Sequence, residues 1–363
     1  MAIFRLRKLL AFSAFIPAIL AAQVGNTDPM KNQGLLGDLV GMPVSNLTNA
    51  GSLLRDWLLH SGSAIGPDNP EPQPDCATDV CCPWYAVSKE LSTLFVNSTT
   101  KECTDDARAA VRLGFHDAAS WSKKSSAAGI DIGGADGSFI IFREENRPEN
   151  NGLQDFVAKL VDIHSRNPGV GAADLIQFAA HHGIVSCPQG PRIVFFAGRK
   201  DATVPAPTGL VPDVHDSAQN LIDLMMDKTI NAQDLAALLG AHSTAKQFHI
   251  DEAQSGAPQD STPGIWDVKF YNETLQANAT SGVFRIPSDL ALSQAQNMSE
   301  PWKAFVGAQQ FWNQEFALAY TRIGLLGVNN INDLIDCTNA LPAHIPEVKG
   351  AIGGQRRRRN FYH

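Results

Sequence analysis

Residues 109–120 read AAVRLGFHDAAS. The small and apolar residues predict a helix, and a four-residue separation brings Arg112 and His116 out on the same side of it. A surface ion network would set acids beside them, yet the neighbours are Ala109, Ala110, Val111, Leu113 and Phe115, with Asp117 just beyond. Burying an arginine is unfavourable unless it has charge to meet. The pair therefore reads either as packing or as polar equipment facing a dry cavity. A second apolar segment, DLAALLGAHSTAK at 234–246, sets His242 among Leu235, Leu238 and Leu239. A lone histidine there is more often a core residue with satisfied hydrogen bonds than a ligand.

Composition bounds the surroundings of these segments. The 363-residue chain opens with MAIFRLRKLLAFSAFIPAILAA, basic residues followed by an apolar run and small alanines, which predicts a cleavable signal peptide over 1–22. No later stretch approaches the roughly 20 apolar residues of a membrane-spanning helix. Six cysteines in an oxidising compartment favour three disulfides, with 15 pairings open from composition alone. Asn46, Asn97, Asn272, Asn278 and Asn297 begin glycosylation sequons. A net charge of −8 and a pI near 5.7 argue against nucleic acid as a partner.

Residues 23–75, rich in Gly, Asn, Ser and Pro and ending in GPDNPEPQPD, read as a flexible extension or propeptide. The buried core is expected from Cys76 to Pro342, with a solvated tail over 343–363 containing QRRRRNFYH. Periodicity predicts helices over 83–97, 104–119, 152–166, 172–183, 218–228, 231–246 and 301–324. The last carries a buried stripe of Phe305, Ala308, Trp312, Phe316, Ala319 and Ile323. The best strand signal is RIVFFAG at 192–198. The fold class is mainly α, with long functional loops.

Six segments in register carry a resemblance to one family. RLGFHDA and LGAHS resemble the distal and proximal helices of the secreted plant-type haem peroxidases, particularly the fungal class II branch that includes the manganese and lignin peroxidases. GRKDATVPAPTGLVP is similar to that family's segment along the haem edge, GGADGS and DSTPGIWD to its two calcium loops, and RIPSDLAL to the stretch behind the proximal histidine. The resemblance implies two helical lobes with haem b between them. His242 would be the axial ligand and Asp289 the acceptor of its other ring N–H; a turn or helix cap is the plain alternative for Asp289. His116 would be general base and then general acid toward hydrogen peroxide. Arg112 would stabilise the leaving oxygen, with Phe115 packed over the haem.

Asn150 would keep His116 basic, supported by Glu144, although the spacing leaves Asn151 open. One calcium ion would take Asp117, Gly134, Asp136 and Ser138; the other Ser243, Asp260, Thr262, Ile265 and Asp267. Family pairing of the cysteines would give Cys76–Cys82, Cys81–Cys337 and Cys103–Cys187, without the fourth bridge of the manganese and lignin types.

The resemblance stops at the reducing substrate. Where manganese peroxidases have three acids, this chain has Asp105, Ala109 and Phe248; Asp106 or Asp251 would have to compensate. Where lignin and versatile peroxidases have a surface tryptophan it has Ala237, leaving Trp84, Trp121, Trp266, Trp302, Trp312 or a tyrosine as a substitute relay. The implied enzyme is a generic secreted, monomeric peroxidase oxidising phenols and small aromatic donors at the haem edge, without membrane or nucleic-acid partners. Three competitors stand beside it. They are a manganese- or lignin-type enzyme with a non-standard site, a zinc hydrolase using His116, Asp117, His181, His182 or His242, and an inactive secreted calcium-binding glycoprotein. No HExxH spacing supports the zinc reading.

Overall fold

The computed structural model describes residues 34–347, and from Gly34 onward the chain clusters as one unit. The expected signal peptide at 1–22, the start of the extension and most of the tail lie outside the described residues. Helices dominate: α1 (Asn49–Leu58), α2 (Cys82–Phe95), α3 (Asp105–Ala118), α4 (Lys123–Ala127), α5 (Ser138–Ile141), α6 (Gln154–Arg166), α7 (Ala172–Ser186), α8 (Ala218–Asp227), α9 (Ala232–Leu239), α10 (Lys269–Leu275), α11 (Pro287–Gln294), α12 (Ser299–Ala304) and α13 (Gln309–Ile323).

Thr104 accepts from the Ala107 N–H and starts α3, and Asn231 with Asp234 forms a reciprocal capping box on α9. The helix that bears His116 and the helix that leads into His242 thus both begin at positions fixed by side chains. They sit in different neighbourhoods: α3 packs mainly on α7, whereas α9 packs on α12 and α13. At Gly114 an added Cβ would lie 2.6 Å from Ala180 Cβ and from Tyr320 Oη, so only glycine allows the close approach of α3 to α7. Gly240, two residues before His242, is as constrained, with Trp312 Nε1 and Tyr271 Oη each 2.4 Å from its would-be Cβ.

Four expectations need correction. The helix over 301–324 is two helices, α12 and α13, because the chain turns at Gly307 with φ +70°. Its apolar stripe is still buried, apart from half-buried Ala308. The helix over 231–246 is α-helical only to Leu239 and tightens into a 3₁₀ turn over Gly240–Thr244 that presents His242. The strand over 192–198 shrinks to Phe196–Ala197, antiparallel to Ile335–Asp336.

The fourth correction is the largest. The segment 23–75, read as flexible, is folded onto the body from Gly34, and Leu35, Leu36, Leu39, Leu54, Trp57 and Leu58 join the main hydrophobic cluster. The core therefore begins near Leu35, not Cys76. Leu54, Trp57 and Leu58 stand at i, i+3, i+4 in α1, which Thr48 caps by accepting from Gly51 N–H. Polar composition around this short motif hid it.

The disulfides of the structure are Cys76–Cys82, Cys81–Cys337 and Cys103–Cys187. Among the described residues no helix is long and apolar enough to cross a membrane.

Candidate active site

On α3, the Arg112 guanidinium donates from Nε to His116 Nε2 at 3.1 Å and from Nη1 to the Asn151 carbonyl at 2.9 Å. The other imidazole nitrogen, Nδ1, lies 2.8 Å from Asn150 Oδ1. Asn150 is itself oriented, because its Nδ2 donates to the Glu144 carbonyl at 2.8 Å. Its oxygen must then face the ring, the ring must donate from Nδ1, and Nε2 keeps a lone pair turned toward Arg112. Burial together with the adjacent guanidinium depresses the His116 pKa to about 3. Arg112 opens onto accessible space but is otherwise enclosed by protein, and that desolvation lowers it to about 10. At neutral pH the arrangement is a neutral base beside a cation.

Of the two asparagines, Asn150 reaches His116 with its side chain, and Asn151 holds Arg112 with its backbone. Glu144 supports Asn150 through its carbonyl. Its carboxylate instead accepts from Arg147 Nη2 at 2.9 Å and Ala206 N–H at 2.8 Å. Phe115 is half-buried, its ring 5.7 Å from that of His116 in an edge-on arrangement.

The second histidine is held through the same nitrogen, but by a carboxylate in place of an amide. His242 Nδ1 lies 2.8 Å from Asp289 Oδ2, and Asp289 is buried near the start of α11. Nδ1 donates to the carboxylate, and the His242 side chain is 32% exposed. Leu238, Leu239 and Ala241 around it are only partly buried. An imidazole fixed from behind, with apolar residues uncovered beside it, fits a flat apolar group bearing a metal.

Next to each histidine stands a pocket of oxygens. Asp117 is fully buried; its carboxylate accepts from Gly137 N–H at 3.1 Å and Phe139 N–H at 3.2 Å, and Asp136 accepts from Ser138 N–H at 3.0 Å. Gly134 adopts φ +112°, its backbone against Leu326 O, and Ser138 Oγ is buried without a partner. Burial raises both carboxyls, with mutual repulsion adding to it at Asp117.

In the second pocket Asp267 N–H reaches Ser243 Oγ at 3.4 Å, Thr262 Oγ1 donates to Asp267 at 2.8 Å, and Ile265 N–H closes a turn onto the Thr262 carbonyl at 2.9 Å. Asp260 Oδ2 is buried without a partner, and burial beside Asp267 pushes its carboxyl up to about 8. Glu273 anchors this loop through Ser261; nothing in its own neighbourhood of sequence announced it. No cluster of three or more His, Cys, Asp or Glu side chains suited to a metal occurs among the described residues, so each pocket depends on hydroxyl and carbonyl oxygens as well.

The acids nearest the positions of a transition-metal substrate site in the sequence are already engaged. Asp105 pairs with Arg108 and Lys246, Asp106 with Lys159, and Asp251 caps the turn at Glu252–Gln254, while Phe248 is 45% exposed. All six tryptophans are buried, at 0–7% exposure. His181 and His182 are spent in packing inside α7, bonded to the Gln177 and Ser88 carbonyls.

Known proteins resemble this chain over most of its length. The peroxidase family model matches residues 92–308. A peroxidase of Arthromyces ramosus is 32% identical over 283 residues, covering 73% of this chain and 77% of its own. A manganese peroxidase of Phanerodontia chrysosporium is 31% identical over 313 residues (79% of each chain), and ligninase C of Trametes versicolor is 34% identical over 284 (72% and 75%). The chain belongs to the peroxidase family. It is a hydrogen-peroxide-dependent oxidoreductase with the plant-type peroxidase fold, related to the fungal class II enzymes.

Proposed function

We propose that this is a secreted haem peroxidase that withdraws electrons one at a time from phenols and other small aromatic donors. The observation that carries the reading is the contrast between the two histidines: one is backed by an amide and faces an arginine, the other is backed by a carboxylate and faces uncovered apolar residues. His242 Nε2 would hold the haem iron, and bound haem would supply the redox centre that takes up the oxidising equivalents of peroxide. Asp289 makes the ligating imidazole a stronger donor.

His116 Nε2 takes the proton of hydrogen peroxide and returns it to the departing oxygen, which leaves as water. Arg112 offers its N–H groups to the charge that develops on that oxygen. Asn150 holds the ring in the tautomer that keeps Nε2 free. The orphaned oxygens of Ser138 and Asp260 support the assignment of two calcium ions, hard cations needing mixed carboxylate, hydroxyl and carbonyl donors. Asp117 and Ser243 directly follow the two histidines, so each ion would brace one of them. Three disulfides and five exposed sequon asparagines, beside the predicted signal peptide, support secretion.

Donor choice follows from what is engaged and what is buried. With the nearby acids paired and every tryptophan inside, small aromatic donors acting at the haem edge fit better than Mn(II) or bulky polymers relayed through a surface indole. The test is the absorption spectrum of the purified protein before and after one equivalent of hydrogen peroxide, followed by phenol or Mn(II). The expected record is a Soret band that shifts with peroxide and recovers with phenol but not manganese. Recovery with Mn(II) would refute the donor assignment. A protein expressed with ample haem that shows no Soret band would be the calcium-binding glycoprotein instead.

A further inference from the structure

The segment Gly34–Gly66 is attached to the body at four places. At the first, Asp38 accepts from the backbone N–H groups of Ile331 (2.8 Å) and Asn332 (3.3 Å). At the second, Thr48 Oγ1 donates to the Asn332 carbonyl at 2.5 Å and Thr48 N–H to Asn332 Oδ1 at 2.9 Å; a Cβ on Gly51 would lie 2.0 Å from that same oxygen. The third is a short bridge in which Val194 N–H donates to Ala64 and Gly66 N–H to Arg192.

The fourth involves charge. Arg322 of α13, 4% exposed, donates to the Gly34 carbonyl at 2.9 Å and to the Leu58 carbonyl, and its Nε lies 4.0 Å from Asp234. Asp234, 2% exposed, is the partner of Asn231 in the capping box of α9, and His60, just past α1, brings Nε2 to 3.5 Å from it. Trp312 of α13 in turn donates to the Ala237 carbonyl at 2.9 Å on α9.

We propose that Gly34–Gly66 is a clamp retained by the working enzyme, which locks α13 against α9, the helix leading into His242, and is fastened by a His60–Asp234 ion pair. The buried apolar residues of α1 and the four attachments mark it as a built-in element and not a leader to be discarded. Its bearing on haem retention rests on reading His242 as the axial ligand; its bearing on stability does not.

The fastening is pH-dependent. His60 faces Asp234 on α9 and Arg322 and Glu315 on α13; the Asp234 hydrogen bond raises its pKa above the ordinary 6.5, against desolvation and the Arg322 charge. A raised histidine contributes stability that is fully present below about 6.5 and is lost as pH rises through the higher folded value. The clamp is therefore tightest in acid.

His60→Gln removes the titration while leaving the buried apolar contacts intact. Thermal melting of the full-length holoprotein should place the variant a few degrees below the parent at pH 5 and level with it at pH 9. An equal gap at both pH values would refute the ionic latch. A specific protease site placed in the exposed stretch 72–75 tests the clamp itself. After cutting, the released segment should co-elute with the body at pH 5, since no disulfide joins them, and removing it in mild denaturant should lower both the melting temperature and the Soret absorbance. A segment that elutes separately, leaving the melting temperature unchanged, would overturn the proposal. Loss of melting temperature in a protein that never showed a Soret band would uphold the clamp and refute only the haem reading.

Discussion

At the scale of single residues, the two histidines differ in what stands behind them and in what they face. An amide oxygen behind His116 accepts from Nδ1 and leaves the Nε2 lone pair free, while burial and the Arg112 charge keep the ring neutral; a carboxylate behind His242 pushes electron density toward whatever Nε2 binds. His116→Leu should slow the reaction with peroxide by about 10²–10⁴-fold, the range of general acid–base catalysis, while haem stays bound. Stopped-flow absorbance measures it, and parental speed in the variant would remove the assigned role. Asp289→Asn should weaken haem retention by about 10–100-fold and raise the reduction potential, by titration with apo-globin as haem acceptor and by spectroelectrochemistry. The residue types and the four-residue spacing of Arg112 and His116 were plain in the sequence. The partnership of Asn150 with His116 was reached there only through resemblance, because 34 residues separate them.

At the scale of elements, helix ends carry the chemistry. The 3₁₀ turn at Gly240–Thr244 presents His242, and the oxygen pockets lie just past the histidines of α3 and of that turn. Chelation of calcium should leave the buried Asp117–Asp136 and Asp260–Asp267 pairs repelling one another. The expected outcome is a lower melting temperature and release of haem, both restored by Ca²⁺ and not by Mg²⁺, which prefers a smaller and more rigid octahedral site. Unchanged melting after complete chelation would remove the two-ion assignment. Helix α3 was legible to within a residue at each end because Thr104 and the apolar run fix it locally. The break between α12 and α13 was not, since a continuous apolar stripe runs through it and the positive φ of Gly307 is a choice made by the surrounding packing.

At the scale of the molecule, distant parts are tied together. Cys81–Cys337 closes a loop of 256 residues, and Arg192 donates to the Thr338 and Leu341 carbonyls beside it. Replacing both cysteines with serine should cost about 2–5 kcal/mol of stability by loss of the cross-link, visible as a fall in the denaturant midpoint. An unchanged midpoint would mean that the noncovalent contacts of this end suffice. The clamp belongs to the same scale: it joins the beginning of the described chain to α13, 288 residues later, through Arg322. No local pattern announces such a joint, and the Gly-, Asn- and Pro-rich composition of 23–75 pointed the other way.

The sequence by itself determined which chemistry was available. Helical spacing put Arg112 and His116 on one face, an apolar setting made His242 conspicuous, and runs of Asp, Gly, Ser and Thr after each histidine marked oxygen-rich turns. These are short-range properties, set by residue type and by periods of three or four. The tertiary structure decided what each group is worth: which asparagine reaches which histidine, which acids are already paired, that every indole lies inside, and that an extension resembling a linker is part of the core. Those outcomes depend on contacts between residues tens to hundreds of positions apart, where hydrogen bonds and burial are settled only when the whole chain has packed.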